Sequence, residues 1–237
     1  MSRERLDKVL AQRGAGSRSE VAQWVRQGRV RVAGEVVRDP GAAVDARVVV
    51  QLEDEAYEAT PEVVAWHKPL GVHCTLDDPW GRADLSGAVA TWLRRGLHPV
   101  GRLDADTSGL LLLSADGALT QRLLHPKRGV EKLYRAQVEG APDAALVEAL
   151  ERGVATAEGT FAARSARIVD AEAALVELVV TEGKHRMVRR MLANAGHPVV
   201  TLTRLRFASV ELGALPVGEA RALDDAEVAA LRALAGQ

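Results

Sequence analysis

Three ionic side chains crowd one short stretch. Arg102, Asp104 and Asp106 precede Thr107-Ser108-Gly109, and four leucines, 110–113, follow without interruption. Carboxylates at alternate positions can work as acid, base or nucleophile, hold a cation, or only make a turn. Residues 104–109 begin like a calcium loop, but its twelfth position is Ala115, where a bidentate Glu is required. A glycosidase pair formed by Asp104 and Asp106 is weak, because few aromatic residues could line a sugar cleft and neighbouring strand residues point apart. The leucine run is too short for an ordinary helix. It fits a strand buried on both faces and closed by the Asp116-Gly117 turn. A carboxylate at the mouth of such a strand is partly removed from water and needs a cation to stay charged. By residue type alone, a plain polar turn stands ahead of catalysis.

The elements that must position this stretch are legible on either side of it. Leu6, Val9 and Leu10 give residues 5–11 a helical spacing, which Gly14 and Gly16 end. Ser17-Arg18-Ser19-Glu20 is a capping box for a second helix over 19–27, with Val21, Trp24 and Val25 on one face. Residues 30–37 read as a hairpin with a Gly turn, and 47–52 as a further strand. Residues 53–61 are acidic and end in Thr60-Pro61, which marks a linker and a boundary near residue 60. An apolar strand over 63–72 then runs into the Lys68-Pro69 turn, and a helix over 117–124 is broken by His125-Pro126. Alternation over 133–139 puts Tyr134, Ala136 and Val138 on one face of a strand. A helix over 143–152 and strands at 161–169 and 174–181 follow. Residues 182–191 open a helix that ends before Gly196 and buries Val188, Leu192 and Ala195, while Arg186, Arg189 and Arg190 fall at spacings of three and four. A strand over 199–205 and a capped helix over 224–234 close the chain.

At 237 residues, 47% hydrophobic and 27% charged, the chain can bury a core in one large domain or two unequal ones. No apolar stretch approaches a membrane span, and residues 1–10 are charged where a secretory signal is apolar. The single Cys74 excludes an intramolecular disulfide and a multi-cysteine metal site. The expectation is a soluble, cytoplasmic monomer. The net charge of −1 conceals a segregation: residues 1–50 hold ten Lys/Arg against six acids, and residues 182–206 hold six against Glu182 alone. Residues 51–62 carry five acids and no base. Segregated positive charge suits a surface for a nucleic-acid backbone.

Arg102-Leu103-Asp104-x-x-Thr107-Ser108-Gly109-Leu-Leu-Leu-Leu-x-x-Asp116-Gly117 resembles the signature of the RNA pseudouridine synthases that modify ribosomal RNA and carry an N-terminal S4-type RNA-binding domain. His125-Pro126-x-x-x-x-Glu131-Lys132-x-Tyr134 is similar to the family's second motif. Glu182-Gly183-Lys184-x-x-x-Val188-Arg189-Arg190-Met191 is similar to its third, with Arg186-Met187 where His-Gln is common. The Lys68-Pro69-x-Gly71 element and the Leu215-Pro216-x-Gly218-x-x-Arg221-x-Leu223 ending fit as well, so the likeness spans nearly the whole chain.

The resemblance implies an α+β protein. Residues 1–52 would form a small S4-like αα-β domain, 53–61 an acidic linker, and 62–237 a catalytic domain with a mixed, mainly antiparallel sheet flanked by helices. It implies Asp104 as the catalytic residue, Tyr134 beside the target base, and Arg189 paired with Asp104. Arg102, Lys68, Lys184, Arg186 and Arg190, with Arg5, Lys8, Arg18 and Arg26 of the N-terminal domain, are the expected RNA contacts. No metal or cofactor is implied. The expected partner is ribosomal RNA or an assembly intermediate, with residues 128–134 inclining the expectation to 23S-type rather than 16S-type RNA. A non-catalytic S4-type assembly protein is the alternative, although Asp104, Tyr134 and Arg189 are all intact.

Overall fold

The structure is a computed structural model that describes residues 3–45 and 47–236. The chain divides into two compact units. One takes the chain up to Glu62 together with Val89–Leu97, and the other takes Val63–Ala88 and the chain from His98 onward.

The first unit runs β1 (Arg3–Arg5), α1 (Leu6–Gln12), α2 (Arg18–Arg26), β2 (Val30–Val32), β3 (Glu35–Val37), β4 (Ala43–Asp45), β5 (Val50–Leu52) and β6 (Glu55–Tyr57). Helix α2 starts where its capping box requires: Glu20 N–H donates to Ser17 Oγ and Ser17 N–H to Glu20 Oε2 at 2.9 Å. Leu6, Leu10, Val21 and Val25 from the two helices meet Val30 and Val50 from the sheet, all fully buried. The sheet order is β3-β2-β5-β6, while β1 pairs with β4. Residues 53–61, expected as a linker, instead supply β6: Tyr57 stands across from Val50, packs on the core, and its carbonyl accepts from Arg13 Nη1 at 2.6 Å. An acidic composition disguised a strand whose inward side chain is aromatic. Of the short helices α3 (Leu85–Ala88) and α4 (Ala90–Arg94), α3 belongs to the second unit and α4 to the first. The expected single boundary is therefore crossed again by the chain.

The second unit continues from β7 (Val63–Lys68) through β8 (His98–Pro99), β9 (Ser108–Ser114), α5 (Gly117–Leu124), β10 (Lys132–Val138), α6 (Ala144–Arg152), β11 (Val154–Thr156) and β12 (Gly159–Phe161). It closes with β13 (Ser165–Asp170), β14 (Leu175–Val180), α7 (Met187–Asn194), β15 (Val199–Phe207), β16 (Val210–Glu211), β17 (Ala220–Ala222) and α8 (Asp225–Ala235). Its main sheet has the order β13-β14-β10-β15-β9-β7-β17, with β16 beside β15 and β8 beside β9. Every pairing is antiparallel except β15 with β9. Leu110 to Leu113 of β9 are all fully buried, as a strand covered on both faces demands. Leu110 and Leu112 join α5 and α8 in one apolar cluster; Ala136, Val138 and Val176 of the sheet join α6 and α7 in another.

Two elements differ from what their sequence patterns imply. The strand over 161–169 is two strands in different sheets, because Ala163 N–H leaves the ladder to donate to the Leu150 carbonyl of α6 at 2.8 Å. Helix α7 starts only at Met187, because Arg186 has φ 53° in the left-handed region.

The parallel joint between β9 and β15 places Gly109 against Arg204. Gly109 has φ +109°, and a Cβ there would lie 2.3 Å from the Arg204 carbonyl oxygen and 2.6 Å from its nitrogen. Only glycine lets the two backbones approach this closely. Gly109→Ala is expected to cost about 2 to 4 kcal/mol of folding stability through overpacking and backbone strain. Urea unfolding measures it, and an unchanged midpoint would show that the joint relaxes freely.

Candidate active site

The turn from Arg102 to Thr107 enters β9, and separate donors hold three successive carbonyls of that turn. Gly71 N–H donates to Ala105 O at 2.7 Å, the Arg189 guanidinium donates to Asp106 O, and Lys68 Nζ donates to Thr107 O at 3.0 Å. Within the turn Thr107 N–H donates to Asp104 O at 3.0 Å, and Leu103 N–H points at Cys74 Sγ. Leu103 and Thr107 are buried, whereas Asp104 is half-buried. The Asp104 carboxyl thus stands on a backbone with little freedom, in the wall of a cleft of about 880 Å³.

Sequence reasoning expected Arg189 to pair with Asp104. The structure pairs it with Asp106: Arg189 Nε lies 3.3 Å from Asp106 Oδ2, and Arg186 donates to both oxygens of the same carboxylate at 3.1 and 2.8 Å. Among the described residues Asp104 has no ion pair, yet its charge acts on Arg189, Arg186 and Lys68 through space. Burial raises the Asp106 carboxyl, but the Arg186 hydrogen bonds and the charges of Arg189 and Arg186 outweigh it and hold the group below its ordinary value. Arg186 reaches this position from outside the helix, through the left-handed turn at its own Cα. Asp106 and Arg186 therefore form a clamp that the sequence motif did not disclose, although Asp106 stood two residues from the expected catalytic group.

Lys68 was expected to touch RNA. It is fully buried at the end of β7, where its Nζ donates to the Pro69 and Thr107 carbonyls. Burial lowers its ammonium pKa, opposed by Cys74, Asp104 and Asp106. Its register opposite Gly109 turns the side chain inward beneath the aspartate turn, so it serves as an internal cation.

Tyr134 of β10 is half-buried, packs on the second apolar cluster, and lines the same cleft as Asp104. Two neighbours that sequence reasoning did not single out share that cleft. Arg204, opposite Tyr134 in the sheet, is 2% exposed; its Nε donates to Leu110 O at 2.8 Å, its guanidinium stacks on Phe207, and its buried Nη2 has no hydrogen-bond partner among the described residues. Lys132 donates to the Val130 and Thr181 carbonyls, and burial with the charge of Arg204 pushes its pKa down to about 8, against a smaller pull from Glu182. Lys132 stood inside the second motif without a role and Arg204 within the basic run 182–206, and neither pattern disclosed that the two side chains are buried.

The remaining expected RNA contacts differ in availability. Arg102 and Lys184 are exposed, line the cleft and make no ion pair among the described residues. Arg190 pairs with Glu158. In the first unit, Arg5 and Arg18 both pair with the buried Asp7, and Lys8 pairs with Glu4 at 2.8 Å, while Arg26 is exposed. Among the described residues no group of three or more His, Cys, Asp or Glu is placed to hold a metal ion, and no helix is long and apolar enough to cross a membrane.

The family model described as RNA pseudouridylate synthase matches residues 62–194, and that of the S4 domain matches residues 4–50. The chain is 37% identical to ribosomal large subunit pseudouridine synthase B of Bacillus subtilis (strain 168), over 98% of this chain and 97% of that one. It is 39% identical to an uncharacterized RNA pseudouridine synthase of Mycobacterium tuberculosis (strain ATCC 25618 / H37Rv), over 96% and 92% of the two chains. A solved structure of a pseudouridylate synthase has a TM-score of 0.65 at 31% identity, covering 96% of this chain and 99% of its own.

The lowered Asp106 carboxyl has a consequence for stability. A carboxylate held below its ordinary pKa stabilises the fold at pH values above that ordinary value of about 4, and the contribution is lost as pH falls through the lowered one. Asp106→Asn is expected to cost about 1 kcal/mol at pH 7, the scale of a partly exposed ion pair. Urea midpoints of the two proteins should converge on acidification below about pH 4. A constant gap down to acid pH would remove the ion pairs as its cause.

Proposed function

The chain belongs to the RNA pseudouridine synthase family and carries an S4 domain, and from that premise we propose that it converts one uridine of large-subunit ribosomal RNA to pseudouridine in the cytoplasm, with Asp104 as the reacting side chain. The observation that carries the assignment is the Asp104 carboxyl on a turn fixed at three consecutive carbonyls, in the wall of a cleft whose volume suits a nucleotide.

The reaction breaks the N1–C1′ bond, joins C5 to C1′, releases the C5 proton and leaves N1 protonated, with no redox change and no heavy atom supplied from outside. The base must leave its stack and remain held while detached. Attack on C6, attack on C1′ and removal of a sugar proton all require an ionised carboxylate shielded from bulk water. Asp106 supports that state indirectly: by engaging Arg186 and Arg189 it holds two guanidiniums beside Asp104 without neutralising Asp104 itself. Tyr134 offers its ring to the extruded base. Arg102 and Lys184, uncommitted at the cleft, suit flanking phosphates. The S4 domain adds phosphate contacts of its own, of which Arg26 is the least committed within the protein.

Pseudouridine formation expels the hydrogen on C5, so tritium release from RNA labelled at C5 of uridine reports turnover. Asp104→Asn is expected to lower turnover by about a hundred- to ten-thousandfold or more while RNA retention on filters persists; turnover near that of the unaltered protein would remove Asp104 from the role. Arg102→Ala is expected to weaken binding to all RNAs alike and to reduce the slope of log K against log salt by about 1. An unchanged slope would show that Arg102 touches no phosphate.

A further inference from the structure

One feature of the cleft is not used by the isomerisation chemistry. Trp80 is 76% exposed, in a chain with eight aromatic residues in all, and it lines the same cleft as Asp104 and Tyr134. A single exposed apolar residue is ordinary, but this one is held in place by construction. Asp78, nearly buried, accepts from Trp80 N–H at 3.0 Å and from Arg82 N–H at 3.2 Å on one oxygen. Its other oxygen accepts from Arg82 Nη2 at 2.7 Å and Nε at 3.1 Å. These Arg82 hydrogen bonds, followed by the backbone ones, hold the Asp78 carboxyl down at about 2, so the anchor persists across neutral pH. Gly81 supplies the positive φ that closes the turn, and its N–H donates to Asp78 O at 3.0 Å. The Arg82 guanidinium then lies 4.6 Å from the centroid of the indole and supports one face of it. A buried carboxylate, a glycine turn and a stacked guanidinium all serve to aim one indole ring.

We propose that Trp80 is a stacking platform for a nucleobase next to the target uridine, taking the place of the stack that the flipped base leaves behind. Extruding a base costs its neighbours a stacking partner. An aromatic face fixed at the cleft wall restores it, whatever the neighbour's identity. The charge around the cleft fits the same occupant: Arg102 and Lys184 are uncommitted cations there, and Arg82 is already neutralised by Asp78. The ring therefore contributes stacking, not charge, and its effect falls on substrate binding and local sequence tolerance. This inference rests on the reading of the cleft as the ribosomal RNA site.

The test first maps the modified uridine by comparing pseudouridine in ribosomal RNA from cells with and without this gene, and then uses an RNA stem-loop spanning that position, with 2-aminopurine placed on either side of it in separate transcripts. Binding is expected to quench the probe on one side, and Trp80→Ala is expected to abolish that quenching. The same variant should raise KM roughly five- to one-hundred-and-fifty-fold with kcat within about twofold, and Trp80→Phe should recover much of the loss. Because the side chain is largely solvent-exposed, unfolding midpoints of both variants should match the unaltered protein and serve as the folding control. A KM within twofold for Trp80→Ala, or quenching that survives in it, overturns the platform. Kd and quenching are also read in Asp104→Asn, which binds but should not turn over. Normal turnover there overturns the catalytic assignment alone, and Trp80 is then judged on quenching and Kd by the same criteria.

Discussion

Two carboxylates on one turn, partly withdrawn from water, are stable as anions only where cations reach them. Lys68 from below and Arg186 and Arg189 from the side meet that requirement around Asp104 and Asp106. The three do so differently. The arginines bind the Asp106 carboxylate directly, whereas Lys68 is tied to backbone carbonyls and acts on both acids through space. The outcome is a division of labour. Asp106 takes the hydrogen bonds, and Asp104, in the cleft wall, has no ion pair among the described residues. A carboxylate saturated by two guanidiniums would be a poor nucleophile or base, so the pairing with the neighbour suits a reacting Asp104 better than a direct pair would.

The sheet makes this arrangement possible at one joint. β9 delivers the aspartate turn and β15 carries Arg204, and the two strands run parallel at Ser108 and Gly109. β10 lies on the other side of β15 and presents Tyr134 opposite Arg204. Strands from three distant parts of the chain thereby converge on the cleft, with their apolar residues committed to two clusters that hold the joint rigid. Gly109 is the point at which rigidity and access meet, because any larger residue would push β15 and its Arg204 away from the turn.

The positive charge in the sequence is less available for RNA than its count suggests. Arg5 and Arg18 share Asp7, Lys8 pairs with Glu4, Arg190 pairs with Glu158, and Lys68 is buried. Salt bridges within a protein must be broken or shared before a phosphate can be held, and of the cations expected to meet RNA, Arg102, Lys184 and Arg26 make no ion pair among the described residues. The cation pair Lys132 and Arg204 adds a positive potential deep in the cleft, and Glu182 opposes it at Lys132.

The residues themselves determined a good deal about this protein. Four leucines in a row dictated a strand buried on both faces, the Ser17 and Glu20 box dictated where α2 begins, and the alternation in β10 dictated that Tyr134 shares a face with Ala136 and Val138. Those are local consequences of period, capping and hydrophobic burial. Partnership across the chain was not legible. Arg186 and Asp106 are 80 residues apart, and spacing along a helix cannot say which of two adjacent carboxylates a guanidinium will reach. The left-handed turn at Arg186, the inward rotation of Lys68 set by its register with Gly109, and the strand formed by Glu55–Tyr57 were decided by tertiary packing. Each depends on which surface lies opposite, a quantity that no single stretch of sequence contains.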